Sequence, residues 1–210
     1  MSSPLALFPH LDPHVAEILQ YALEGQELTT QDAEYLLSVT GSDTFAITAA
    51  ADIIRRYQAG DKVSFVINRN VNFTNICVNS CRFCAFSVTS DSSEGYFLSN
   101  EEIKKRVLEA VKLGATEVCI QGGIHPKNDL DTYLRILKTV RDADPNIHIH
   151  AFSPEEIRYA HQKSGESIES VLKAMREAGL GSMPGTAAEI LNDRVRRIIC
   201  PQKLSQRGRL

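Results

Sequence analysis

The sequence predicts an α/β protein: an incomplete barrel of parallel strands and helices, preceded by an N-terminal helical cap. Three observations predict it. Residues 1–60 carry apolar positions at helical spacing. From Lys62 onward short β-rich runs alternate with amphipathic helical stretches, which implies parallel strands joined by right-handed crossovers. Four such strand–helix units can be counted from Val71, and no further strand follows them, so a closed barrel is not reached.

In the N-terminal region Asp12-Pro13 reads as an N-cap with proline at the first helical position, and Gly25 as the stop. Thr29 and Thr30 precede a second short helix over Asp32 to Leu37. A third, about Asp43 to Gln58, ends at Gly60, with Phe45, Ile47, Ala50, Ile53 and Ile54 as its expected apolar stripe. Val63 to Ile67 reads as a strand, and Val71 to Ile76 as another. Ser99-Asn100-Glu101-Glu102 is a capping box opening a helix that closes at Gly114. Strand Thr116 to Gln121 ends in Gly122-Gly123. A helix over Asp129 to Arg141, a strand over Ile147 to Phe152, and a second capping box at Ser153-Pro154-Glu155-Glu156 follow. A helix from Ile168 to Glu177, a short strand near Leu180 to Met183 and a last helix from about Ala187 to Ile198 complete the pattern. The expected organisation is a helical region at 1–60, a core at 61–204 and a polar tail at 205–210. A four-strand parallel sheet would leave an exposed edge, so the expectation is a truncated chain, or one whose final residues differ from a longer parent.

With 23 basic and 26 acidic residues the net charge is −3, and no basic tail is present. Nucleic-acid binding through phosphate neutralisation is not suggested. The first ten residues lack the charged and apolar regions of a signal peptide, and no run approaches the length of a membrane span. Five cysteines, three of them clustered, do not resemble a disulfide framework and fit metal-binding thiolates in a reducing cytoplasm.

That cluster is the chemically informative stretch. Cys77, Cys81 and Cys84 are spaced C-x3-C-x2-C at the end of a predicted strand. Thiolates suit iron–sulfur clusters and zinc. A structural zinc site wants four closed ligands, whereas three on one tight loop leave a metal position open. A zinc loop completed by a distant His or Cys is the alternative. In parallel α/β sheets the site lies at the C-terminal strand ends. Gln121-Gly122-Gly123, His150 to Ser153 and Ser182 to Thr186 follow the next three predicted strands, so four patches converge on one rim.

Cys77 to Cys84, with Phe83 before its third cysteine, resembles the radical S-adenosylmethionine (SAM) family. The resemblance implies a 4Fe-4S cluster held by Cys77, Cys81 and Cys84, with SAM chelating the remaining iron. It further implies that Phe83 lies near the adenine and that Gln121-Gly122-Gly123 receives the SAM amino group, although Gln121 replaces a commoner glycine. Asn70 to Cys77, Cys119 to Pro126, His148 to Pro154 and Ser182 to Leu191 are similar to one subfamily, that of the deazaflavin (FO) synthase subunits and the futalosine-pathway menaquinone enzymes. The Gly185-Thr186-Ala187-Ala188-Glu189 stretch favours the FO synthase side. That implies L-tyrosine and 5-amino-6-(D-ribitylamino)uracil as substrates, transfer of a 4-hydroxybenzyl group between them, and the other FO synthase subunit as partner, in coenzyme F-420 biosynthesis. A menaquinone-pathway enzyme and an inactive metal-binding fragment are the alternatives.

The remaining candidates are read from the strands. His148 and His150 are two apart and share the lumen face, as do Glu117, Cys119 and Gln121. His148, His150, Asn75, Ser153 and Glu189 are candidate substrate residues, and Ser182 lies in an expected rim loop against SAM. The bland readings are a hydrogen-bonded strand histidine, a helix cap for Glu189 and a small buried residue for Cys119. The polar loop Ser87 to Gly95 reads as flexible. No catalytic residue beyond the cluster is assigned.

Overall fold

The computed structural model describes residues 4–185 and 190–205, which fall into two compact units divided between Ser64 and Phe65. The first unit is helical. Helices α1 (Pro13–Leu23), α2 (Thr30–Ser38) and α3 (Asp43–Ala59) follow a short 3-10 turn at Pro4–Leu7. The Asp12 carboxylate accepts from the amides of His14 and Val15, and Thr29 and Asp32 close a reciprocal box on α2. The core of this unit is Val15, Leu19, Ala46 and Ala50. The expected stripe of α3 is therefore partly corrected. Phe45 is 69% exposed and Ile53 36%, because α3 turns its small alanines inward where α1 packs.

The second unit is built on a three-stranded parallel sheet, β1 (Asn68–Asn72), β2 (Glu117–Gln121) and β3 (His148–Ala151), in that order. Helices α4 (Asn100–Lys112) and α5 (Leu130–Ala143) are the crossovers. Helices α6 (Pro154–Ser164) and α7 (Ile168–Glu177) follow β3, and α8 (Asp193–Ile199) comes last. Each strand alternates. Val71, Val118, Ile120, Ile149 and Ala151 are fully buried against Ile103, Val107, Tyr133, Ile136, Leu137, Val140, Val171 and Met175. The opposite face is polar throughout. Register pairs Asn68 with Glu117 and His148, Asn70 with Cys119 and His150, and Asn72 with Gln121. One face thus binds the helices and the other is free to line a polar lumen, as a half-barrel requires.

Three expectations about strands are corrected. Val63 to Ile67 forms no strand. Val63 is 88% and Phe65 84% exposed, and the backbone meets the sheet only where Ile67 accepts from the Thr116 amide. Pairing begins at Asn68 and ends at Asn72, so the second predicted strand starts and stops earlier than its apolar pattern suggests. The fourth strand is reduced to a parallel bridge between His150 and Ser182. Gly181 and Ser182 both donate to Ile149, and Ala151 donates to Ser182. Two glycines and Pro184, which has no amide to donate, flank this bridge and keep it short. The last helix runs from Asp193, capped by Asn192, and residues 190–192 before it are not helical; the start expected at Ala187 falls in 186–189, outside the described residues.

Past the end of β1 the chain is stapled to the segment that follows the cysteines. Thr74 pairs with Phe97 and Ile76 with Val88. Asn75 donates to the Glu94 carbonyl and accepts from the Tyr96 amide, and the Val88 amide donates to the Asn75 carbonyl. The loop 87–95 is thereby tied down, contrary to the flexibility its serines suggest. The ties run through Asn75 to the backbone of the loop, with Ser92 Oγ accepting from the Glu94 amide within it.

Two positions hold the strand ends in place. Gly123 donates to Thr74, and a β-carbon on it would lie 2.3 Å from the Ile76 carbonyl oxygen. Glu156, in the capping box of α6, is 1% exposed; one oxygen accepts from the Ser153 amide and hydroxyl, the other from the Gly122 amide at 3.2 Å. Burial pushes its carboxyl up to about 7 against those three donors, which favour the charged form.

Gly123→Ala is therefore expected to lower stability by about 1–3 kcal/mol, read as a drop in melting temperature, because backbone and not a mobile side chain must give way. An unchanged melting temperature would show that the contact relaxes freely. The raised carboxyl of Glu156 gives a second expectation. Folded protein holds the proton up to about 7 while the unfolded chain releases it near 4.5. Its contribution is complete below pH 4.5 and is lost as pH rises through about 7, on the order of 3 kcal/mol in all. Denaturant titrations across that window should show this fall in the parent and not in Glu156→Gln.

Candidate functional site

The C-terminal ends of β1 and β2, the start of α6 and the segment after α8 enclose a cavity of about 210 Å³. Its floor is the cysteine loop. That loop leaves β1 through Ile76 and is pinned on both sides. Val78 donates to Ile124 on the β2 side. On the other side Arg82 donates to Ile199, and the Ser80 amide and hydroxyl both bond the Gln202 amide group. A turn from the Cys84 amide to the Cys81 carbonyl brings the last two cysteines together. All three cysteines line the cavity, none is disulfide-bonded and each is half-buried.

The sulfur environment suits metal ligation. Cys77 Sγ accepts from the amides of Ile124 at 3.2 Å and Asn79 at 3.4 Å, the type of bond by which proteins tune iron–sulfur clusters. Burial pushes the Cys81 thiol up, opposed by the Lys203 ammonium. At Cys84 burial also acts upward, but the Ser87 hydroxyl and the amides of Phe86 and Ser87 outweigh it and hold the thiol below its ordinary value. Gly123 sits where a β-carbon would come within 3.0 Å of Cys77 Cβ, so the β2 end lies directly against the first cysteine. Three thiols on one wall of a cavity, with backbone donors aimed at one sulfur and a bare glycine closing over it, fit a cluster held by three ligands.

The predicted rim residues divide into two groups. Gln121, Gly122, Gly123 and Ser153 line the cavity beside the cysteines. Phe83 does not: it is 45% exposed, with the Lys203 ammonium 5.1 Å from its ring centre. Asn75 is buried and its amide is used on the 94–96 backbone. His148, His150 and Ser182 come together, but on the lumen face and not on this cavity. Glu189 lies outside the described residues.

Two cavity residues escaped the sequence reading. Glu156 was legible only as the third position of a capping box; its bond to Gly122 is a tertiary contact 34 positions away. Lys203 had no local signal, yet it supplies the cavity's cationic side chain among the described residues. The segment that carries it is fixed by the Leu204 amide donating to Glu155 at 3.0 Å. Glu155 is itself buried and ion-paired with Arg158. Phe152, just before Ser153, adopts a left-handed φ of 59° with its ring packed 4.7 Å from that of Tyr133. Such a backbone is costly for a bulky residue and is held here by full burial.

Comparison with known proteins agrees with this geometry. The chain is 46% identical over 196 residues to 5-amino-6-(D-ribitylamino)uracil--L-tyrosine 4-hydroxyphenyl transferase of Microcystis aeruginosa, covering 90% of this chain and 52% of that protein. It is 56% identical over 162 residues to the protein of the same name in Archaeoglobus fulgidus, covering 77% and 45% respectively. The chain thus spans about half the length of the curated relatives it matches. Among solved structures, HydG, a maturase of the [FeFe]-hydrogenase, aligns with a TM-score of 0.68 at 20% identity, over 92% of this chain and 40% of that one, and speaks to the fold alone. The sequence pattern of the Radical SAM superfamily matches residues 71–207, from β1 through the cysteine loop and past α8. The chain belongs to the radical SAM superfamily.

Proposed function

We propose that the chain carries the cluster-binding part of an enzyme that transfers the 4-hydroxybenzyl group of L-tyrosine to 5-amino-6-(D-ribitylamino)uracil in deazaflavin biosynthesis. The observation that carries this reading is the cavity itself, where Cys77, Cys81 and Cys84 face the Gln121–Gly123 strand end. The names of relatives at 46% and 56% identity support the choice of substrates. The other FO synthase subunit would be the functional partner, and a reducing cytoplasm would keep the three thiols free.

In this reading Cys77, Cys81 and Cys84 hold a 4Fe-4S cluster. Bound together, the cluster and SAM supply the electron and the carbon-centred radical chemistry that a protein side chain cannot. The chain's own part is orientation and exclusion. The missing side chains of Gly122 and Gly123 let the strand end pack directly on the Phe73 ring and on Ile76 and Cys77, and Glu156 fixes that backbone through the Gly122 amide. Ser153 is locked by Glu156 at the helix start, with its amide and hydroxyl already committed, so it shapes the wall. Lys203 offsets negative charge from thiolates and Glu156, as its effect on Cys81, Cys84 and Glu156 indicates. Gln202 and Ile199 tie down the outer side of the loop through Ser80 and Arg82.

Anaerobic reconstitution is expected to load about four iron and about four sulfide per chain. Cys77→Ala, Cys81→Ala or Cys84→Ala should each lose most of that iron, whereas Cys119→Ala should retain it. With SAM, tyrosine and the diaminouracil, the loaded protein should yield 5′-deoxyadenosine and a coupled product detected by mass spectrometry. A product formed only with an enolpyruvyl-benzoate or futalosine-type substrate would reassign it to menaquinone chemistry. A colourless protein holding zinc on the same cysteines would refute the cluster.

A further inference from the structure

The lumen face carries a second constellation that the cysteine cavity does not use. Glu117 opens β2 and His148 opens β3, and the two are register partners. His150 lies two residues further along the same face. Glu117 lies four positions before the Gln121 rim, about 13 Å along a strand, and His150 pairs with Cys119 two positions before it, so this group lies below the rim on the lumen face. Its polar atoms converge. The Ser182 hydroxyl is 2.7 Å from His148 Nε2 and 2.7 Å from His150 Nδ1, and Glu117 Oε2 is 3.9 Å from the same His148 nitrogen. Ligand atoms of the two histidines and the carboxylate all lie within 4.8 Å of one another.

Hydrogen bonds through Ser182 satisfy the two rings but do not extend to Glu117 Oε2, 3.9 Å from His148 Nε2. Ser182 has one proton, so it can donate to one ring nitrogen and must accept from the other. Both rings nevertheless aim at a single point, with a carboxylate oxygen turned toward it. The geometry is also supported from behind. Asn68 donates to the other Glu117 oxygen at 3.3 Å, which leaves Oε2 facing the histidines. A β-carbon on Gly181 would lie 2.5 Å from His148 Cε1, so this ring rests on bare backbone that fixes its position. Outer partners of this kind orient metal ligands.

We propose that Glu117, His148 and His150 form a second metal site, for a divalent ion of the zinc class, independent of the cysteine loop. Two imidazoles and one carboxylate are the ligand set of open zinc sites and of facial-triad iron sites. Ser182 swings to another rotamer when the ion enters, since its hydroxyl occupies the point the ion takes. Its role is that of a placeholder which satisfies the two rings in the metal-free protein.

Cobalt(II) is the probe, titrated into the chain bearing Cys77→Ala, Cys81→Ala and Cys84→Ala so that sulfur ligation is removed. Expected is one equivalent bound, with weak d–d bands of a nitrogen and oxygen ligand set, no sulfur charge-transfer band, and displacement by zinc. Glu117→Gln and His150→Ala should weaken binding about 10–100-fold or more. Ser182→Ala should hold or tighten it, an outcome that a purely hydrogen-bonded network does not produce. The same titration on the cluster-loaded parent keeps the test open if the cysteine variant does not fold. No uptake at micromolar cobalt in either protein overturns the proposal, and so does an affinity unchanged by Glu117→Gln and His150→Ala.

Discussion

The structure of the second unit depends on one close approach, that of the β2 end to the cysteine loop at Gly123. Thr74, Ile76 and Cys77 meet Gly123 and Ile124 there through two backbone-directed hydrogen bonds and a contact that leaves no room for a side chain. The loop holds no regular secondary structure over Cys77 to Cys84 and buries little apolar surface of its own. Its shape is imposed from outside, by β2 on one side and by the residues after α8 on the other. This explains why α8 and the irregular residues after it carry buried Arg196 and Cys200. Arg196 spans them by donating to the carbonyls of Ile190 and Leu204.

The division of the sheet into an apolar and a polar face follows from period-two alternation, and it separates stability from chemistry. Val71, Val118, Ile120, Ile149 and Ala151 supply the burial. Phe73, Tyr133 and Phe152 lock the strand ends to α5 through edge-on ring contacts. The opposite face contributes little burial, with His148 46% exposed at its side chain. Its polar rows are thereby free for ligands. Glu156 links the two roles: it caps α6 and sets the backbone of Gly122, and its burial is possible because three donors surround it.

Much of this was legible in the sequence where the signal is local. The two capping boxes, at Ser99 and Ser153, and the alternation of β2 and β3 are written in neighbouring residues, and the structure has them where the spacing places them. The convergence of Cys77, Cys81 and Cys84 with Gln121–Gly123 followed from parallel topology. Legibility ended where long-range contacts decide. Val63 to Ile67 has the composition of a strand, but no neighbouring strand pairs with it. Leu180 to Met183 has one as well, and Gly179, Gly181 and Pro184 cut it to a bridge. Lys203, Glu156 as a Gly122 anchor, and the shared point of His148, His150 and Ser182 all rest on pairs more than thirty positions apart, which no local pattern encodes.

The central claim is that three thiolates hold a cluster with one iron left for an exogenous ligand. Mössbauer spectra of the iron-57-reconstituted chain, recorded with and without SAM, test it most directly. The account predicts that one iron of the cluster is distinct and that its signal alone shifts when SAM is added. A spectrum of equivalent irons, unchanged by SAM, would contradict it.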